Sequence, residues 1–157
     1  MESAQPPDTA GVVAPPPLIF LAGLGIGFGL EALLPGGSLP DAVRWVLGGV
    51  FLAAGLALLA TFESSFTRKG TPANPWKPTT GIVTTGPYRL TRNPAYLGMT
   101  LVYAGIAFLA DAPWALVPLP LVLLVINNGV ILREERYLER KFGSEYLDYK
   151  GRVRRWI

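Results

Sequence analysis

The sequence of 157 residues contains neither cysteine nor histidine. This absence excludes thiol nucleophiles, disulfides, histidine general bases and the usual zinc sites, and we predict no metal centre. Charge is also scarce, because only 16% of the residues are charged, half are hydrophobic and the mean hydropathy is +0.36. Such a chain is too apolar for a soluble domain of this size, and its chemistry must use carboxylates, hydroxyls, amides or a cofactor.

Long apolar runs predict an all-α, polytopic membrane protein with about four transmembrane helices. They cover residues 18–34, 43–62, 96–110 and 114–132, and each is close to or within the length that crosses a bilayer. The charged tail, residues 133–157, carries apolar and aromatic groups at helical spacing, which predicts a C-terminal interfacial helix broken near Gly143. Continuation of the fourth helix into water fits residues 133–141 equally well.

The first residues differ in composition from the rest of the chain. Residues 1–17 are rich in Pro and Ala and contain no Lys or Arg, so they lack the positive region of a signal peptide and indicate a disordered leader. Residues 18–157 then form a single membrane-embedded domain.

The basic residues are confined to two segments. Arg44 is the only Lys or Arg outside the connection 63–95 and the tail 133–157. The positive-inside rule therefore predicts that both segments, and with four spans both termini, are cytoplasmic, in a bacterial inner membrane. Anionic membrane lipids explain these cations better than nucleic acid does, and we predict no nucleic-acid partner. The sequence leaves the oligomeric state open.

Residues 86–98, GPYRLTRNPAYLG, have the features of a binding loop at the start of the third helix. Proline restricts the backbone there, Asn93 suits an N-cap and Pro94 suits the first helical turn. A helix N-terminus near Arg89 and Arg92 favours a carboxylate or phosphate. The aromatic faces of Tyr88 and Tyr96 are able to contact a cation or stack on a base.

A second cluster, Glu134 and Glu135, follows the fourth apolar run. Adjacent residues point about 100° apart on a helix, so one carboxylate can face a pocket while the other supports the arginines. A ligand with a carboxylate, a cationic centre, an aromatic base and a ribose would satisfy both clusters, and S-adenosylmethionine has all four. Interfacial charges that anchor a helical hairpin are the alternative explanation of the same pattern.

The C-terminal half resembles the isoprenylcysteine carboxyl methyltransferase family and its phospholipid methyltransferase relatives. Arg92, Pro94, Tyr96 and Gly98 match the Arg-His-Pro-x-Tyr-x-Gly pattern, with Asn93 in the histidine position. The tail matches at Glu134-Glu135, Phe142-Gly143, Tyr146, Tyr149 and Arg155-Trp156. The resemblance implies an integral membrane enzyme that binds S-adenosylmethionine in a cytoplasm-facing pocket. Because asparagine does not titrate near neutral pH, a proton-transfer role of that histidine does not carry over.

The resemblance also implies roles for individual residues and places the cofactor site within the segment 81–157. Arg133 or Arg136 would orient an acidic substrate. Glu31, Glu63 or Glu135 is a speculative proton acceptor, and the space near Asn127 and Asn128 could admit a lipid tail. The expected cofactor contacts are Tyr88, Arg89, Arg92, Asn93, Pro94, Tyr96, Gly98, Glu134 and Glu135.

The implied substrate is lipophilic, a prenylated molecule or a lipid. We favour carboxyl O-methylation of an isoprenylcysteine-like acceptor. Phospholipid amine N-methylation, a reductase that uses NADPH and resembles the sterol reductases, and a non-catalytic lipid-binding protein are the alternatives.

Overall fold

The computed structural model describes residues 8–34, 38–74 and 76–157. All regular secondary structure within these residues is helical. Two short 3₁₀ turns, Gly86–Arg89 and Pro113–Leu116, and a π turn, Asn127–Ile131, connect or interrupt the α-helices. The predicted all-α class is therefore confirmed. The α-helices are α1 (Pro16–Leu33), α2 (Asp41–Lys69), α3 (Pro94–Leu109), α4 (Leu119–Ile126), α5 (Leu132–Phe142) and α6 (Ser144–Arg152).

Each of the four predicted apolar segments forms a helix. Among the described residues, α1, α2 and the continuous stretch Pro113–Phe142 are long and apolar enough to cross a membrane. Helix α3 has 16 residues, so at 1.5 Å per residue it spans about 24 Å, less than the hydrocarbon thickness of about 30 Å. Large apolar side chains such as Leu21, Trp45 and Leu121 are exposed on the helix surfaces. The polytopic membrane architecture is thus confirmed, with three long helices and one shorter helix.

Glycines bring α2 and α3 into close contact. A Cβ atom on Gly105 of α3 would lie 2.6 Å from the backbone nitrogen of Leu52, and one on Gly55 of α2 would lie 2.7 Å from the carbonyl oxygen of Gly98. Backbone atoms cannot move aside as side chains do, so only glycine fits at these crossings. This contact fixes the position of the N-terminus of α3 relative to the end of α2.

The end of α2 differs from the prediction. Helix α2 continues to Lys69 instead of ending at Phe62, and Gly70 ends it with a left-handed conformation at φ 68°. The helix continues into the polar segment because residues 63–69 contain no proline or glycine that would end it. The polar connection is therefore shorter, from residue 70 to residue 93.

The fourth apolar segment is irregular. It begins as the 3₁₀ turn Pro113–Leu116, and Pro118 is the N-cap residue of α4, with Pro120 in its first turn. Helix α5 follows the π turn without a break, so residues 133–141 continue the fourth helix. That the C-terminal helices lie along the membrane surface stays a prediction. The predicted interruption is found at Gly143, with φ 53°, and α6 follows it.

The predicted leader is described from Asp8 onward, and its residues 1–7 lie outside the described part of the chain. Residues 8–15 lie against the C-terminal helices. The backbone nitrogen of Val13 donates to the carbonyl of Gly129 at 3.2 Å, and Arg133 Nη1 donates to the carbonyl of Gly11 at 2.9 Å. The division into a leader and one membrane domain stays a prediction.

We predict that Gly105→Ala destabilises the protein. The added methyl group would overlap the backbone of α2, and overpacking of this kind costs about 1–3 kcal/mol. Thermal unfolding of the purified protein in detergent measures the effect. Gly49→Ala is the matched control, because a Cβ there meets nothing within 4 Å and alanine favours a helix over glycine. Equal unfolding temperatures for the two variants would contradict the proposed packing.

Candidate functional site

A cavity lies at the end of the helices where the connection 70–93 meets the C-terminal tail. It holds about 130 Å³ of space that water can occupy, and it opens to solvent. Its walls are mainly apolar and aromatic, with a few polar groups, which is typical of small-molecule sites. The lining residues are Ala10, Phe62, Phe66, Pro72, Ala73, Asn74, Thr79, Gly81, Ile82, Val83, Tyr88, Arg92, Asn93, Ala95, Tyr96, Glu134, Glu135, Tyr137, Leu138, Tyr146 and Tyr149.

The structure brings the two predicted clusters together in this cavity. Glu134 and the start of α3 meet directly, because the Tyr96 hydroxyl lies 2.8 Å from Oε1 and 2.9 Å from Oε2 of Glu134 and donates to that carboxylate. No basic side chain among the described residues forms an ion pair with Glu134. Its carboxylate can therefore accept further hydrogen bonds from a ligand in the cavity.

Glu135 supports the basic residues instead. Arg155 binds it in a bidentate pair, with Nε 3.0 Å from Oε1 and Nη2 2.8 Å from Oε2. Arg92 Nη1 lies 3.3 Å from Oε1, and Lys150 Nζ lies 3.9 Å from Oε2. Glu135 is only 5% exposed, so these cations offset the free-energy cost of burying the charge of its carboxylate. The sequence predicted this division of roles without deciding which glutamate has which role.

Arg92 has hydrogen-bonding capacity that the protein leaves unused. Its Nε and Nη1 atoms are buried, and neither has a hydrogen-bond partner in the described part of the chain, although Nη1 lies near Glu135. Buried donors of this kind are costly unless they find an acceptor. Since Arg92 lines the cavity, a carboxylate or phosphate bound there would satisfy it.

The C-terminal tail is hydrogen-bonded to the loop that carries Arg92. The backbone nitrogen of Arg92 donates to the carbonyl of Arg154 at 2.9 Å. The Thr91 hydroxyl and Asn93 Nδ2 donate to the carbonyl of Arg155, at 3.0 Å and 2.9 Å. These three hydrogen bonds fix the loop and the tail as one unit.

Asn93 occupies the N-cap position of α3, as predicted, but its side chain makes no capping hydrogen bond. The amide is directed to the tail instead, where it donates to Arg155. Pro94 begins the helix as predicted and is fully buried. Asn93, which stands in the histidine position of the family pattern, therefore connects the loop to the tail and also lines the cavity.

Three tyrosines in the cavity wall stay neutral near physiological pH. Burial raises the pKa of Tyr146 to about 12, and it also raises the pKa of Tyr149 and of Tyr88 above the ordinary value. Tyr149 donates its hydroxyl to the carbonyl of Tyr88 at 2.8 Å. These side chains are therefore hydrogen-bond donors or apolar faces, and not bases.

Some predicted site residues lie away from the cavity. Gly98 packs against α2, where a Cβ would lie 3.0 Å from Leu59 Cγ. Pro94 is buried outside the cavity lining, and Arg89, Asn128 and Arg133 are exposed. The structure thus gathers Tyr88, Arg92, Asn93, Tyr96, Glu134 and Glu135, and does not gather the other five.

Sequence reasoning also missed part of the lining. Phe62 and Phe66 come from the last turns of α2, and their rings pack on Tyr88 at centroid distances of 6.3 Å and 5.9 Å. Their spacing of four residues at the end of an apolar run is a signal that could have identified them. Tyr137 also lines the cavity without any local pattern that predicts it, and so do seven residues of the connection: Pro72, Ala73, Asn74, Thr79, Gly81, Ile82 and Val83.

The fold and the site together define a helical membrane protein with a partly enclosed cavity at one end of its helices. A model of the family described as "Phospholipid methyltransferase" matches residues 43–145, which is more than half of the chain. The chain belongs to that family. The match covers α2, α3, α4, α5 and almost all of the cavity lining, and it confirms the family resemblance found in the sequence.

Two relatives are similar over shorter stretches. An uncharacterized protein of Haemophilus influenzae is 63% identical over 35 residues, which are 22% of this chain and 56% of that protein. The protein-S-isoprenylcysteine O-methyltransferase of Saccharomyces cerevisiae is 38% identical over 72 residues, which are 46% of this chain and 30% of that enzyme. The chain thus spans about half the length of the Haemophilus influenzae protein and less than a third of the length of the yeast enzyme. No solved structure matches the chain.

We predict that Glu135→Gln destabilises the fold much more than Glu139→Gln. The first substitution removes the buried charge shared by Arg92, Arg155 and Lys150, at a cost of about 2–3 kcal/mol. Glu139 pairs with Lys150 alone among the described residues, and its side chain is 30% exposed, so its loss should cost less than about 1 kcal/mol. Thermal unfolding in detergent compares the two variants. A loss of equal size in both would show that Glu135 does not organise the site.

Proposed function

We propose that this protein is an integral membrane methyltransferase that uses S-adenosylmethionine and acts on a lipophilic acceptor. The observation that carries this proposal is the cavity in which two Arg92 donors without hydrogen-bond partners among the described residues and the carboxylate of Glu134 share one apolar, aromatic enclosure. Membership of the phospholipid methyltransferase family supports the reaction class.

The residues of the cavity fit this cofactor. Arg92 would bind its carboxylate, since Nε and Nη1 are buried donors that lack acceptors. Glu134 would accept hydrogen bonds from ribose hydroxyls or the amino group, because among the described residues only Tyr96 donates a hydrogen bond to its carboxylate. The rings of Phe62, Phe66 and Tyr88 offer a surface for the base. When bound, the cofactor supplies a methyl group that its sulfonium makes electrophilic.

The protein's contribution to catalysis is mainly alignment and exclusion of water. The α2–α3 contact and the hydrogen bonds between loop and tail hold the polar groups of the site on rigid elements. An ionised carboxylate acceptor needs no general base, which agrees with a site whose tyrosines stay neutral. An amine acceptor would first have to lose a proton, and Glu134 is the carboxylate in the cavity that is free of ion pairs among the described residues.

We infer further that the acceptor is an isoprenylcysteine-like carboxylate, which is the acceptor class named for the yeast relative. An apolar groove of about 700 Å³ between α3 and α4 could hold the lipid part. Leu97, Leu123 and Trp156 are among its lining residues, and Asn127 is a polar group in it. The neighbouring residue, Asn128, is exposed and accepts a hydrogen bond from Asn127. It is not among the residues that line the cavity.

The site is proposed to face the cytoplasm from a bacterial inner membrane. The connection and the tail, which carry most of the Lys and Arg residues, both contribute to the cavity at one end of the helices. By the positive-inside rule we expect such an end in the cytoplasm. Membrane lipids are accordingly the expected surroundings of the exposed apolar helix faces.

Calorimetry on the detergent-purified protein tests cofactor binding. We expect S-adenosylmethionine and its demethylated product to bind, and Arg92→Ala to weaken the affinity about 10- to 100-fold, because a charge-assisted hydrogen bond is worth about 1.5–3 kcal/mol. Arg89→Ala is the matched control, since Arg89 is an exposed arginine of the same loop that does not line the cavity. No binding to the wild-type protein in several detergents, or equal losses for both variants, would overturn the proposal.

The acceptor is tested with cofactor that carries a labelled methyl group. We expect the protein in membranes to methylate S-farnesylated N-acetylcysteine and to form an ester, which releases labelled methanol in alkali. Phosphatidylethanolamine is the comparison acceptor, because a methyl group on its nitrogen is stable to alkali. Label that stays non-volatile after alkali treatment, as N-methyl groups on the released headgroup, would replace the carboxylate acceptor with an amine.

A further inference from the structure

Tyr137 occupies an unusual position in the cavity wall. It lies on α5, is 5% exposed, and lines the cavity together with residues from distant parts of the chain. Its hydroxyl is 3.1 Å from the backbone nitrogen of Thr79, 3.1 Å from Oδ1 of Asp8 and 3.0 Å from Nζ of Lys141. One side chain thus contacts both the N-terminal segment and the connection 70–93.

The three contacts use the whole hydrogen-bonding capacity of this hydroxyl. A phenol has one donor and two acceptor positions. The Thr79 N–H and the Lys141 ammonium group donate to the oxygen, and the hydroxyl donates to Asp8. The arrangement therefore satisfies all three partners at once.

The two segments that meet at Tyr137 both border the cavity. Residues 8–13 contribute Ala10, and residues 71–74 and 76–83 contribute Pro72, Ala73, Thr79 and Gly81 among others. We call these two segments together the cavity cover. The first segment is also tied down through Gly11 and Val13, and the second through Ile82, which is buried against Tyr146 and Tyr149.

We propose that Tyr137 is a positioning residue that holds the two parts of the cavity cover together and thereby slows the release of a ligand from the cavity. The identity of that ligand rests on the proposed function, but the cover itself does not. The first segment lies outside residues 43–145, which the family model matches, so family membership does not supply this contact.

Tyr137→Phe is a selective probe of the connection between the two parts. It removes the hydroxyl but keeps the ring, and Asp8 keeps its ion pair with Lys141, whose Nζ lies 2.6 Å from Oδ1. Lys141 also keeps its place 5.4 Å from the ring centroid. If the cavity cover is less stable in this variant, the cause is therefore the loss of the Tyr137 hydroxyl and not the loss of the salt bridge between Asp8 and Lys141.

Hydrogen–deuterium exchange of the full-length protein without ligand is the first test. We expect Tyr137→Phe to increase exchange about 2- to 10-fold in both parts of the cover, because each loses one hydrogen-bonding partner. Tyr103→Phe is the matched control, since its buried hydroxyl donates to the Ala115 carbonyl at 2.7 Å, away from the cavity. Unchanged exchange at residues 76–83, or the same increase in the control, would overturn the role of Tyr137.

The second test measures the dissociation rate of S-adenosylhomocysteine, with methyl transfer followed in parallel. Tyr137→Phe should release the ligand about 2- to 10-fold faster and raise KM more than it lowers kcat, whereas Tyr103→Phe should change neither. A dissociation rate equal to that of the wild type would overturn the effect on ligand release. If the wild-type protein binds no cofactor, the proposed function fails, while the exchange experiment still decides whether Tyr137 holds the cover.

Discussion

The site depends on one buried carboxylate, that of Glu135. It binds Arg155 of the tail in a bidentate pair and lies within ion-pair distance of Arg92 in the loop before α3 and Lys150 of α6. A buried charge is stable only when it is paired, so the fold requires loop, α5, α6 and tail to meet at this point. The hydrogen bonds from residues 91–93 to the backbone of the tail reinforce the same junction.

This constraint leaves Glu134 and part of Arg92 available for a ligand. Because Glu135 takes up the cations, the neighbouring carboxylate is hydrogen-bonded to the neutral Tyr96 alone among the described residues. Arg92 contacts Glu135 but keeps two buried donors without acceptors. The protein thus presents an acceptor and a donor in one aromatic cavity, which is the arrangement that a zwitterionic ligand with several polar groups requires.

Much of the fold and the main polar groups of the site were accessible from the sequence. Apolar runs identified four helices, and Gly143 identified the break in the tail, because both signals are local. Arg92, Tyr96, Glu134 and Glu135 were found through charge and spacing beside helix ends. Gly98 was placed in the site by the family pattern, whereas its lack of a side chain serves the close contact with α2. Phe62 and Phe66 were missed because the helix continues seven residues further than composition indicates, from Phe62 to Lys69.

The sequence alone determined the membrane-spanning helical class and the family, because hydropathy and a spaced motif do not depend on distant contacts. The tertiary structure alone decided which glutamate pairs with cations, where the Asn93 amide points, and that Tyr137 joins Asp8 to Thr79. These contacts connect residues 20 to 129 positions apart. No periodicity in the sequence encodes such pairings, since they arise only after the helices have packed.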